Sequence, residues 1–218
     1  ILGRMDRVLI SDLLAKRSRP LDAVGSSIGS WRHAAMTQPD PVEAYDRFEK
    51  AYLTQKYKSK KPTMPEITEV ALWLMRSLLG EEGERHVAEH PWLRSHIVTA
   101  RGKGLSGQQP GKRLIAGMGV AALGNALSRR TLPASFQRVV FASQDATPLS
   151  PLLDDFATRY VDLSKANVFN ALMASGAIPY VFEGVYEIEG AGEGAFWDGG
   201  IIDYHFDLQR LPKDEVWL

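Results

Sequence analysis

Five residues, Gly25-Ser26-Ser27-Ile28-Gly29, constrain this chain more than any other stretch. They follow a short buried-strand candidate, Leu21 to Val24, and lead into the helix-compatible segment Ser30 to Met36. A strand that reverses through Gly-x-Ser-x-Gly into a helix holds the central serine on a strained turn, with its hydroxyl presented at the end of a sheet. Gly25 and Gly29 are expected to remove side chains that would clash in that turn. The Ile28 N–H and the N-terminus of the following helix then favour negative charge on a reacting carbonyl oxygen. Such a turn belongs in an α/β sheet with layers of helix on both faces.

The rest of the chain supplies the layers. Met5 to Lys16 reads as an amphipathic helix with Met5, Val8, Leu9 and Leu13 on the face toward the sheet, ended by Pro20. Residues 39–110 read as a helical insertion, with helices at Val42 to Tyr57 and Glu66 to Leu79, a short segment around Glu84 to His90, and a flexible loop from Arg101 to Pro110. Leu114 to Leu127 is a glycine- and alanine-rich apolar helix. Strands follow at Arg138 to Ala142 and Thr158 to Leu163, then a helix from Lys165 to Ala174 with Ser164 as N-cap. A hairpin joins Val185 to Ile188 with Ala195 to Trp197. At 218 residues the chain fits one α/β domain carrying an insertion.

Composition excludes several function classes. The hydrophobic fraction of 44% and charged fraction of 24% are those of a globular protein, and a formal net charge of zero argues against nucleic acid as partner. The chain has no cysteine, which removes a thiol nucleophile and a thiolate metal site and is compatible with a cytoplasmic location. No run of about 18 apolar residues is present to cross a bilayer.

A serine hydroxyl needs a base beside it. The hydrolase pattern of serine, acid and histidine offers His205, with Asp198 or Asp203 to orient it. The alternative is Trp197-Asp198-Gly199-Gly200, a carboxylate at the end of a strand followed by two glycines that let another backbone approach. A partly desolvated carboxylate can take the serine proton directly. Taken alone, Asp-Gly-Gly reads as a turn.

Three motifs occurring in order change that balance: Gly25-Ser-Ser27-Ile-Gly29, Ala174-Ser-Gly-Ala-Ile-Pro179 and Asp198-Gly-Gly200. In this order they resemble the patatin-like phospholipases, over roughly residues 1–36 and 138–207. The resemblance implies a three-layer α/β/α sandwich and a cofactor-free lipolytic acyl hydrolase acting on a lipid or other acyl ester. It implies a Ser27 nucleophile, Asp198 as base and no catalytic histidine. A catalytically silent lipid-binding or scaffolding domain is the competing reading of the same fold. The family also completes its oxyanion hole with a glycine-rich loop ahead of the helix that precedes the elbow. Only Gly3-Arg4 stands there, so that loop is expected upstream of Ile1.

Other signals carry less. His86-Val-Ala-Glu-His90 has zinc-protease spacing, but Pro91 stops the helix that would display both histidines, and no third ligand suggests itself, so no metal site is expected. Gly102-Lys-Gly-Leu-Ser-Gly107 matches a dinucleotide fingerprint by letter, yet Pro110 and Gly111 interrupt any following helix. No Asp or Glu stands between Glu89 and Asp145, whereas Arg94, Arg101, Lys103, Lys112, Arg113, Arg129, Arg130 and Arg138 do. Around the apolar helix this pattern suits either a buried helix with solvated ends, the expected case, or peripheral contact with anionic lipid.

Overall fold

A computed structural model describes residues 3–149, 153, 155, 157–204 and 206. Six strands form one mixed sheet: β1 (Leu21–Gly25), β2 (Leu93–Gly102), β3 (Phe136–Ala142), β4 (Thr158–Asp162), β5 (Val185–Ile188) and β6 (Gly192–Asp198). The order β4-β3-β2-β6-β5 runs across it, and β1 pairs in parallel with the first half of β2. One face is covered by α2 (Ile28–Met36), α3 (Pro41–Thr54), α4 (Met64–Leu79) and α8 (Val168–Ser175). The other face carries α6 (Lys112–Leu127) and the segment containing Leu149 and Leu153. The layers are those of the expected α/β/α sandwich.

The strand that organises the sheet lies inside the stretch read as a helical insertion. The helices of that stretch, α3, α4 and α5 (Gly83–Ala88), end at Ala88, and Leu93–Gly102 then becomes β2, the partner of β1, β3 and β6. Its residues from Ser95 to Ala100 are all buried. Burial on both faces erases the polar alternation by which half-buried strands are recognised. His90 starts the strand: its Nδ1 accepts a hydrogen bond from Leu93 N–H at 2.9 Å, outside α5 and away from any shared helical face with His86.

The loop expected from Arg101 to Pro110 is a tight structure. A side chain at Gly102 would meet the Ser106 carbonyl oxygen at 2.1 Å, and that carbonyl accepts the Trp197 indole N–H at 3.0 Å. Near the N-terminus, α1 (Gly3–Val8) continues as a π-helical turn at Leu9–Leu14. The wider turn shifts the helical phase, so Ile10 and Leu14 are buried and Leu9 packs partly buried against the core, while Met5, Val8 and Leu13 are exposed instead of facing the sheet as expected. Buried Asp6 fixes the rotation through a two-point ion pair with Arg32. The α8 helix starts at Val168, after the expected Ser164 cap, because buried Asn167 ties the turn together by accepting from Ser164 N–H and donating to the Asp162 and Glu189 carbonyls.

Candidate active site

The sheet places the site by bringing two strand ends together. β1 runs upward along one edge of β2 and stops at Gly25, opposite Ile97, while β6 runs downward along the same edge and stops at Asp198, opposite Thr99. Val98 lies between, and both chains leave the sheet there. A side chain at Gly199 would meet the Val98 carbonyl oxygen at 2.3 Å and Ser26 Cβ at 3.0 Å, so glycine is what permits the two ends to approach.

Ser27 stands on the turn in an uncommon backbone conformation, φ 53° and ψ −133°, which a non-glycine residue holds only when its surroundings enforce it. Gly25 is part of that enforcement, because a Cβ there would lie 2.5 Å from Ser30 N. The expectation for Gly29 is not met. Nothing lies within 4 Å of a Cβ at that position, since the turn has already opened into α2. The Ile28 N–H begins that helix and has no intramolecular acceptor among the described residues.

The Ala174-to-Pro179 motif holds both partners. Ser175 accepts from Ser27 N–H twice, through its carbonyl at 2.9 Å and its hydroxyl at 3.1 Å, and its hydroxyl donates to Val98 O at 2.8 Å. Two residues on, the Ala177 carbonyl accepts from Asp198 N–H at 2.9 Å. The last residue of α8 and the short segment after it therefore fix the backbone of Ser27 and of Asp198. Ser175 had no individual signal in the sequence, because its work is a hydrogen bond to a residue 148 positions away.

The Asp198 side chain is buried and its carboxyl is held above the usual carboxylate range, chiefly by burial. Two neighbours oppose that shift, the nearby Ser27 hydroxyl and the Gly200 N–H, the latter through a hydrogen bond of 2.7 Å. Ser27 and Asp198 thus face one another at the strand junction.

His205 lies outside the described residues, as does Asp207. Asp203 is described, and it is fully engaged elsewhere. Buried Arg138 donates to both of its carboxylate oxygens, at 2.6 and 2.8 Å, and Arg129 donates to one at 2.7 Å. Asp155 bridges the same two arginines. This network clamps the chain just after the Asp-Gly-Gly turn to β3, and the Asp203 carbonyl also accepts from the Ser26 hydroxyl at 3.1 Å. Two arginines read as part of a basic surface are thereby neutralised by acids from far along the chain. No group of three or more His, Asp or Glu side chains suited to a metal ion occurs among the described residues.

A strand-turn-helix serine facing a buried carboxylate, on an α/β/α sheet, defines a class of protein built around Gly-x-Ser-x-Gly and Asp-Gly-Gly. A family model for patatin-like phospholipases matches residues 8–205, and the chain belongs to that family. Members of the family are lipolytic acyl hydrolases in general. Neither the curated proteins nor the solved structures compared with the chain gave a match.

Proposed function

We propose that this protein hydrolyses carboxylic esters of lipids through an acyl-enzyme on Ser27, with Asp198 as the general base. The observation that supports this most is the pairing of an enforced serine turn with a buried carboxylate of raised pKa, both fixed by one backbone segment. Asp198 accepts the hydroxyl proton as Ser27 Oγ attacks the ester carbonyl carbon. Negative charge on the carbonyl oxygen falls toward the Ile28 N–H and the positive end of α2. As the C–O bond breaks, the proton passes from Asp198 to the departing alcohol. Water then enters, gives a proton to Asp198 and attacks the acyl carbon, and return of that proton to Ser27 Oγ frees the acid and restores the enzyme.

An apolar acyl chain suits the surroundings. Ile28 is exposed beside the nucleophile, and Ile178, Tyr180 and Val181 are exposed on the segment that follows Ala177. Hydrolysis of a fatty-acyl ester by the purified protein, abolished in Ser27→Ala, is the test. Turnover unchanged by that substitution would refute the reading.

A further inference from the structure

We propose that the outer face of α6 is a membrane-docking surface for anionic lipid. The helix is anchored through a narrow strip of small residues. Leu114, Gly117 and Ala121 are buried, and a Cβ at Gly117 would meet the Leu105–Ser106 backbone at 2.6 Å. From Ile115 to Leu127 the residues opposite that strip are apolar and open to solvent. Ile115, Val120, Leu123 and Leu127 are 58%, 63%, 72% and 88% exposed, and Ala116, Gly119, Ala122 and Ala126 lie exposed among them. At ~100° per residue these positions share about half of the helix circumference. The expected buried helix with solvated ends is therefore not what forms, and four large apolar side chains on one exposed face need an explanation that scattered surface leucines do not.

The charges indicate the occupant. Lys112 and Arg113 stand at one end of the face and Arg130 just past the other, all exposed and none paired with an acidic side chain among the described residues. No acid occurs from residue 90 to 144 to repel an anion. The first turn of α6 also lacks a side-chain cap and carries two cations where the helix dipole favours negative charge. Phosphate headgroups would satisfy both, while the apolar face lies in the acyl boundary and the long basic side chains reach back to the headgroup plane. The choice of lipid over a protein partner also rests on the acyl-hydrolase reading. Placement agrees with it. The inner side of α6 shares an apolar cluster with Trp197 and Ile202, which bracket the Asp198 turn, so a single helix separates the proposed lipid surface from the site.

The test is co-sedimentation of the Ser27→Ala protein with vesicles of phosphatidylcholine containing phosphatidylglycerol, and with vesicles of phosphatidylcholine alone. The account expects binding to the anionic vesicles, weakened at least about 10-fold by Lys112→Glu with Arg113→Glu and by raised salt. Leu123→Ser with Leu127→Ser should weaken it by a similar factor, and neither pair should alter hydrolysis of a water-soluble ester by protein that retains Ser27. Absence of binding, or binding that ignores both pairs, overturns the proposal. So does a concentration-dependent dimer that Leu123→Ser with Leu127→Ser dissociates, which would mean that a second copy covers the face. Vesicle binding by a protein without esterase activity would sink the catalytic reading and leave the docking surface standing.

Discussion

Gly25 and Asp198 end two strands that approach each other along one edge of β2 and stop on either side of Val98. The serine turn and the carboxylate turn meet because of that arrangement. Gly25 permits the first turn and Gly199 the second, each by lacking a Cβ that would strike backbone at 2.5 and 2.3 Å respectively.

The two glycines of the serine motif should accordingly behave differently. Gly25→Ala places Cβ against the Ser30 backbone and should abolish esterase activity and reduce solubility or stability. Gly29→Ala meets nothing and should keep activity within a few-fold, with up to ~1 kcal/mol of added stability from helix propensity. Thermal melts and initial rates of the two variants check this, and equal damage by both would show that the turn is misdescribed.

Asp203 is expected to be structural. Asp203→Ala leaves the buried Arg138 guanidinium short of its main partner and should cost roughly 3–5 kcal/mol, as broken buried pairs do. Replacement of a histidine-orienting acid would instead lower the rate of a protein with unchanged stability. Urea titration alongside ester turnover separates the outcomes.

The raised pKa of Asp198 has two signed consequences. The proposed mechanism needs the carboxylate, so activity should fall as pH drops through a value above the ordinary carboxylate range. The folded state also binds this proton more tightly than the unfolded chain, so stability declines as pH rises from the unfolded pKa to the folded one. Asp198→Asn should therefore inactivate the protein and yet melt no lower than wild type at neutral pH, because its amide oxygen can still accept from Gly200 N–H. A large drop in melting temperature would argue that the charge is stabilising.

His33 contributes to the loss of stability in acid. It is buried on α2, bonded through Nδ1 to the Ser95 hydroxyl at 3.1 Å, and burial lowers its pKa from 6.5 to about 3. Its folded pKa is depressed, so the unfolded chain takes up the proton first. Stability is present above pH 6.5 and is lost as pH falls toward 3, by about 1.4 kcal/mol per unit from this group. His33→Gln should flatten that part of the stability profile, and denaturant melts across the range measure it.

Much of the site was legible because its chemistry is local. The Gly-x-Ser-x-Gly turn, the hairpin into Asp198 and the helix ahead of Pro179 are each written in a few consecutive residues with strong turn signals. What stayed hidden depends on distant partners. β2 is buried on both faces, with Ser95, His96 and Thr99 buried among its apolar residues, so it gave no regular alternation to read. The face of α1 is turned by a π-helical segment and by the Asp6–Arg32 pair, neither visible in apolar spacing. The acids that neutralise Arg129 and Arg138 lie 26 and 65 residues away. The exposure of α6 follows from packing through glycine and alanine, which hydropathy alone reads as a buried helix.

The central claim is that Ser27 and Asp198 act as one catalytic pair, and fluorophosphonate labelling followed by peptide mass mapping tests it most directly. The account predicts a single adduct on Ser27, none in Ser27→Ala, and a labelling rate at least about 10²-fold slower in folded Asp198→Asn, the scale on which a general base contributes. An adduct on another residue, or an undiminished rate in Asp198→Asn, would contradict it.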